Sequence, residues 1–337
     1  MARKGGWRRR GSRGRFHYVD AQGRRIDDPE ALERIESLRI PPAWRGVWIS
    51  PRPRAKLQAT GLDAAGRRQY LYHPDFRAAQ DEAKFDKLIR FAQALPELRA
   101  AMAEHMSLEP LEPDWTCAVA VRLVNLGWFR VGDERYAKRY RTFGITTLRK
   151  GHVSVRGSRI TFRFPGKRRA WVRTAVVDGE LAAAVKTLQR EPGGRRLFRY
   201  RYNGGFVNLT ARRLNDYIQE LMGEEFTIKD FRTWGGTLLA ACAFAEKPQP
   251  KSEAEAKRTI AAVMRTVGER LGNTAAVARS SYVSPAVVDQ YRDGRTVEDF
   301  RPRHLRVVGA RDTGLDPEEQ ALLSLLRSWR IREARAA

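Results

Sequence analysis

Val153-Ser154-Val155-Arg156-Gly157-Ser158-Arg159-Ile160-Thr161-Phe162-Arg163-Phe164-Pro165-Gly166-Lys167 alternates apolar and polar residues and breaks twice at turn formers. A period of two places Val153 and Val155, then Ile160, Phe162 and Phe164, on one face of extended strands, and Trp171 with Val172 supplies a third. Thr146 to Val176 therefore reads as a three-stranded meander, turning at Arg156-Gly157-Ser158 and at Pro165-Gly166-Lys167. The surroundings are helical. Before it, Phe85, Leu88, Ile89, Ala92 and Leu95 recur at helical spacing between Phe76 and Met106, with a break expected at Pro96. A second apolar helix is expected from about Asp114 to Phe129. Beyond Asp178 helices are expected almost to the end, the last from about Asp316 with Leu322, Leu323, Leu325 and Leu326 as packing material.

Towards the N-terminus the pattern changes. A short helix begins at about Pro29, where Asp27 and Asp28 can cap and proline suits the first turn. Val47-Trp48-Ile49, Lys56 to Thr60 and Gln69 to His73 then read as strands, the last two joined by a turn at Asp63-Ala64-Ala65-Gly66. The expected fold class is α+β: a small N-terminal β-sheet domain over residues 16–78 and a larger, mainly α-helical domain over 79–337 that contains the three-stranded β-meander. Residues 1–15 hold seven Arg or Lys and no acid, and they read as a mobile basic arm, either solvated or in contact with a polyanion.

The chain of 337 residues is 42% hydrophobic and carries 64 Lys and Arg against 39 Asp and Glu, a formal net charge of +25. Such an excess points to a polyanionic partner, nucleic acid first. No apolar run is long enough to span a bilayer and no basic amphipathic anchor has a clean apolar face, so a membrane partner is not expected. The basic N-terminus lacks the apolar segment of a secretory signal, which gives a cytoplasmic expectation. Cys117 and Cys242 suit reduced core thiols, and the five histidines show no ligand spacing, so neither metal nor cofactor is expected.

The chemistry concentrates in two segments. Lys229-Asp230-Phe231-Arg232-Thr233-Trp234-Gly235 precedes Leu271-Gly272-Asn273-Thr274-Ala275-Ala276-Val277-Ala278-Arg279-Ser280-Ser281-Tyr282, and Tyr282 lies fifty residues past Arg232. A tyrosine hydroxyl, with a reference pKa of about 10, attacks phosphorus at neutral pH only where cations stabilise the phenolate. Arginine suits that task because its planar fork stays charged and grips two phosphate oxygens at once.

Five positions in order, Arg130, Lys167, Arg232, Asn273 and Tyr282, resemble the type IB DNA topoisomerases, in particular the small poxvirus-type and bacterial branch. Phe129-Arg130-Val131-Gly132 followed by Tyr136 resembles that family's first arginine motif, and Phe164-Pro165-Gly166-Lys167 its lysine on a hairpin turn. Lys229-Asp230-Phe231-Arg232-Thr233 resembles the second arginine motif, and Asn273, nine residues before Tyr282, the histidine or asparagine position. Gln69-Tyr70-Leu71-Tyr72 resembles a strand of the N-terminal domain, so the similarity runs over roughly residues 25–300. Asp133 stands where the viral members have a basic residue, and Thr237 where they have an asparagine.

The resemblance implies a DNA-relaxing enzyme that works as a monomer on double-stranded DNA, without ATP, metal or small-molecule substrate. Tyr282 would form a 3′-phosphotyrosyl bond and release a 5′-hydroxyl end. Arg130 and Arg232 would stabilise charge on the non-bridging oxygens, Asn273 would add a hydrogen bond, and Lys167 would protonate the leaving oxygen with assistance from Lys229. Gln69, Tyr70, Tyr72, Arg135 and Tyr136 are candidate DNA contacts, although Tyr70 and Tyr72, two residues apart, could equally form the packed face of their sheet. Two domains embracing a duplex would give a clamp with strongly salt-dependent affinity. Two other readings stand beside this one. A tyrosine recombinase shares the nucleophile and arginines but usually has His-x-x-Arg where this chain has Lys229-Asp230-Phe231-Arg232, and a non-enzymatic protein could use the charge merely to coat DNA.

Overall fold

The computed structural model describes residues 5–12, 15–301 and 314–336, and it divides into two compact units, Met1–Asp86 and Lys87–Ala337. The first unit contains β1 (Trp7–Arg10), β2 (His17–Val19), α1 (Pro29–Ser37), β3 (Arg45–Ile49), β4 (Leu57–Leu62) and β5 (Arg68–Tyr72). Its strands form one antiparallel sheet in the order β2-β1-β3-β4-β5. Ile35, Val47, Ile49 and Ala59 are its buried centre, with Trp7, Tyr18, Trp44 and Leu71 packed around them. Asp28 caps α1 by accepting from the Ala31 amide, and Asp63 organises the β4–β5 turn by accepting from the Ala65 and Arg67 amides.

The expected basic arm is corrected here. Residues 7–10 form a strand in the interior of the sheet, with Trp7 opposite Ile49 and Arg8 opposite Trp48. Composition alone treats every arginine as solvated, whereas Arg9 donates to the Pro41 and Trp44 carbonyls at 3.2 and 2.6 Å and stacks over Phe16. Trp7 supplies the apolar anchor. Residues 1–4, 13 and 14 of the expected arm lie outside the described residues.

The boundary between units falls at residue 86 rather than 78, inside α2 (Pro74–Met106). Pro96 does not interrupt that helix. A mid-helix proline costs about 3 kcal/mol or more, but Phe91, Leu95, Leu98 and Met102 are buried on either side of it. Each such side chain contributes about 1.5–3 kcal/mol, so packing outweighs the missing hydrogen bond.

The second unit continues with α3 (Pro113–Gly127), α4 (Glu134–Tyr140), β6 (Val153–Arg156), β7 (Arg159–Pro165), β8 (Trp171–Val177), α5 (Gly179–Arg190), β9 (Arg199–Tyr202), β10 (Gly205–Asn208) and α6 (Ala211–Met222). Then follow α7 (Ile228–Ala245), α8 (Glu253–Leu271), α9 (Ala275–Ser281), α10 (Pro285–Arg292) and α11 (Pro317–Ala336). The architecture is α+β as expected. α3 is the central helix: Trp115 to Val121, Leu123 and Val124 are buried, and it lies against α5, α6, α7, β8 and β9. Strands β6, β7 and β8 form the antiparallel meander, which starts at Val153 because residues 145–147 and 150–152 make single 3₁₀ turns.

A hairpin interrupts the region expected to be helical. β9 and β10 are joined by Asn203-Gly204, both with positive φ (49° and 75°), the conformation that Asn-Gly turns favour. Cys117 is buried and Cys242 half-buried, and both are free. Burial pushes their thiols up to about 12 and about 11. α11 buries Leu322, Leu325 and Leu326, and it also carries a charge inward. Glu319, 4% exposed, accepts two 2.8 Å bonds from Arg99 and a 3.0 Å bond from the Trp234 indole. Burial favours the neutral acid, but Arg99 and Trp234 outweigh it and hold the carboxyl below its ordinary value.

Candidate active site

Three helix ends meet around Arg232. α7 starts with a capping box in which Thr227 and Asp230 satisfy one another, and Asp230 also holds Lys87 at 2.7 Å. This start fixes Arg232 one turn into the helix, where it is only 5% exposed. Its guanidinium donates to the carbonyl of Trp128, at the end of α3, and at 2.8 Å to that of Leu271, at the end of α8. Arg232 thus ties three helices together while its Nε–H, buried, has no partner among the described residues. An orphaned donor on a buried cation is a ready position for an anionic oxygen.

The turn after α8 positions the other groups. Gly272 ends α8 in the left-handed conformation (φ 62°), and a Cβ there would meet Arg130 at 3.4 Å. The Gly272 carbonyl and the Asn273 side-chain oxygen each accept from Arg130 at 2.8 Å. Arg130 is half-buried, and burial together with repulsion from Arg232 lowers its pKa to about 10. Thr274 caps α9, which delivers Tyr282 at its C-terminal end.

Tyr282 meets Arg232, whose guanidinium carbon lies 5.0 Å from the ring centroid. Burial raises the hydroxyl's pKa, but the adjacent Arg232 guanidinium and the charges of Arg130 and Lys229 outweigh burial and hold it below the ordinary tyrosine value. The backbone of Tyr282 is held as firmly. The Thr237 hydroxyl, fully buried, contacts the Thr233 and Tyr282 carbonyls at 2.8 and 3.2 Å and accepts from the Ser284 amide at 3.1 Å.

Gly235 and Gly236 explain how α7 approaches so closely. A Cβ on Gly235 would lie 2.2 Å from the Trp128 indole nitrogen, and one on Gly236 2.7 Å from the Tyr282 carbonyl oxygen. Two adjacent glycines inside a helix oppose its propensity. That anomaly is the signal in the sequence for this close approach, which the motifs alone do not reveal. Trp128 and the roles of the Leu271 carbonyl and of Thr237 are equally absent from them.

Arg130, Arg232, Lys167 and Gly272 line one cleft of about 370 Å³, together with Trp128, Trp171, Arg173 and Arg270. Lys167 is exposed in the turn between β7 and β8, where Gly166 closes the loop on the Ala170 carbonyl at 2.7 Å and Arg168 and Arg169 take positive φ. Lys229 is exposed on the first turn of α7. The structure therefore gathers Arg130, Lys167 and Arg232 on one cleft, with Asn273 bonded to Arg130 and the Tyr282 ring against Arg232.

The candidate DNA contacts separate. Tyr70 and Tyr72 are 48% and 40% exposed and stack with centroids 6.2 Å apart, so their ring face is open rather than packed inside the sheet. Lys56 and Phe76 extend this surface. Gln69 is half-buried on the opposite face, bonded to Asp63 at 2.9 Å. Arg135 and Tyr136 are exposed on α4, whose cap is Asp133, which accepts from both of their amides. The acid that departs from the viral pattern thus has a structural use. Among the described residues no cluster of His, Cys, Asp or Glu is placed to hold a metal ion, and no helix is long and apolar enough to cross a membrane.

The chain is similar to known proteins over most of its length. Residues 73–298 match the family described as eukaryotic DNA topoisomerase I, catalytic core, and residues 15–63 match the bacterial DNA topoisomerase IB N-terminal domain. DNA topoisomerase 1B of Acanthamoeba polyphaga mimivirus is 34% identical over 270 residues, 78% of this chain and 80% of its own. DNA topoisomerase 1B of Vaccinia virus (strain Copenhagen) is 22% identical over 273 residues, 79% of this chain and 84% of its own.

Proposed function

Because the chain belongs to the type IB DNA topoisomerase family, whose members change DNA topology, we propose that it relaxes supercoiled DNA through a 3′-phosphotyrosyl intermediate, without ATP or metal. The observation that carries this reading is the convergence of the Arg232 and Arg130 charges on Tyr282, with Asn273 holding Arg130.

In this mechanism the Tyr282 hydroxyl gives its proton to water and its oxygen attacks a DNA phosphorus. The new tyrosyl O–P bond forms as the bond from phosphorus to the 5′-oxygen breaks. Arg232 presents its unused Nε–H, and Arg130 its fork, to the charge that grows on the non-bridging oxygens. Asn273 accepts from Arg130 through its oxygen and donates one amide hydrogen to the Leu271 carbonyl at 3.4 Å, which leaves the other for the phosphate. Lys167 gives its proton to the departing oxygen, with Lys229 assisting, and such positioned acids contribute about 10²–10⁴-fold. One phosphoester replaces another, so no external energy source enters. Religation is the same path reversed. Tyr70, Tyr72, Arg135 and Tyr136 hold the double-stranded substrate, and the protein acts as a monomer in the cytoplasm.

Relaxation of a supercoiled plasmid by catalytic amounts of protein, in EDTA and without ATP, tests the reading. Full relaxation is expected. Dependence on a divalent cation or on ATP would remove the proposed chemistry, and DNA binding without relaxation would favour the coating protein.

A further inference from the structure

The solvent face of the meander carries charge that cleavage does not use. Pairing of β6 with β7 sets Arg156 opposite Arg159, and pairing of β7 with β8 sets Arg163 opposite Arg173. All four side chains are exposed. Like charges directly across a sheet are destabilising, yet this face keeps two such pairs. No carboxylate relieves them: among the described residues none of the four arginines makes an ion pair, and the sequence between Glu134 and Asp178 contains 13 Lys or Arg and no acid. Arg163 instead lies 5.4 Å from the centre of the exposed Trp171 ring.

The rows of the face are ordered. Ser154, Thr161 and Ala175 form an uncharged cross-strand row between the two arginine rows, and all three are exposed and small. Trp171 and Arg173 also line the cleft that holds Arg130 and Arg232. The strip therefore begins at the cleft and runs away from it along β7 and β8. Repulsion of this kind is relieved by a linear polyanion laid along the strands, and a phosphodiester backbone is one.

We propose that the outer face of the meander, through Arg156, Arg159, Arg163 and Arg173, binds the phosphate backbone of the duplex beyond the cleaved position. The assignment rests on the reading of the cleft as the DNA site, and its occupant is duplex DNA rather than an acidic protein.

The test is the triple variant Arg156→Gln/Arg159→Gln/Arg163→Gln, none of whose positions lines the cleft. Non-covalent binding to a duplex long enough to run past the cleft is measured against salt concentration, in a Tyr282→Phe background. Each phosphate that the protein no longer neutralises lowers the slope of log K against log[salt] by about 0.9, so a slope shallower by about 2–3 is expected. With Tyr282 intact, single-turnover cleavage at saturating DNA should be unchanged. The corresponding triple lysine variant should keep the parental slope. An unchanged slope in the glutamine variant, with a melting temperature at or above the parent's, overturns the proposal and leaves the face to another partner. An unchanged slope with slowed cleavage also overturns it, because the face would then act through the fold. Failure of the Tyr282 reading shows separately, as a covalent adduct that survives Tyr282→Phe.

Discussion

Replacing Arg232 by alanine removes, in one step, a donor to the phosphate, the main charge facing the nucleophile and a tie between three helix ends. Loss of one preorganised donor to a developing oxyanion costs about 10²–10³ in rate, or about 2.7–4 kcal/mol, and cleavage should slow by at least that factor. Stability should fall less. The Trp128 carbonyl loses its donor and the Leu271 carbonyl keeps only a 3.4 Å bond from Asn273, at about 1–3 kcal/mol for a buried group left unpaired, but the variant no longer buries a cation, which offsets part of the loss. For a unit of this size each kcal/mol is worth about 2–4 °C, so the melting temperature should drop by roughly 2–10 °C. The pH profile adds a signature that a packing defect would not give. Burial still raises the Tyr282 hydroxyl while its strongest opposing charge is gone, so its pKa rises. At fixed pH less of it is ionised, and the rate deficit should be largest at neutral pH and narrow as pH climbs through the raised value. Arg232→Lys keeps a charge but cannot reach both carbonyls and the phosphate, and its rate should lie nearer to alanine than to arginine. The assay is single-turnover cleavage of a nicked suicide duplex at saturating protein, from neutral to alkaline pH. An alanine variant within a few-fold of wild type at neutral pH, folded by its melting curve, would show that Arg232 supplies neither donor nor charge to cleavage.

Three further outcomes are expected. Tyr282→Phe should abolish the covalent adduct on denaturing gels while leaving duplex affinity nearly unchanged, and a persisting adduct would move the nucleophile elsewhere. Lys167→Ala should be slow on an ordinary phosphodiester yet largely restored on a 5′-bridging phosphorothiolate, whose sulfur leaves without a proton; equal impairment on both would shift the acid to Lys229. Thr237→Val, which leaves the Ser284 amide without its acceptor, should cost about 1–3 kcal/mol in denaturant unfolding and slow cleavage, whereas Thr237→Ser should restore both; a valine variant as stable as wild type would show that this hydroxyl holds nothing.

What can be read from sequence divides along physical lines. The meander is legible because Ile160, Phe162 and Phe164 alternate cleanly, and α1 because Asp28 and Pro29 are local signals. Arg130, Lys167, Arg232, Asn273 and Tyr282 stand out by order and residue type, whereas their gathering in one place follows from helix ends that only packing fixes. What fails are inferences that average over side chains. Trp7 to Arg10 looks too basic for a sheet interior because composition does not show Arg9 finding the carbonyls of residues 41 and 44. Pro96 looks like a stop because a local rule does not weigh Phe91, Leu95, Leu98 and Met102. The β9–β10 hairpin is written plainly in Asn203-Gly204, and only the helices on either side of it disguise the signal.

The buried contact of Glu319 with Arg99 and Trp234 bears on where the protein can be trimmed. The catalytic-core match ends at residue 298, which invites a fragment that stops there. Such a fragment would lack Glu319 and strand the Arg99 charge beside an indole that sits two residues from Arg232. It would also take Leu322, Leu325 and Leu326 away from the surface they cover. Proteolytic or recombinant shortening from the C-terminus should therefore inactivate the enzyme while every proposed catalytic residue is still present, and the smallest autonomous catalytic piece has to extend through α11.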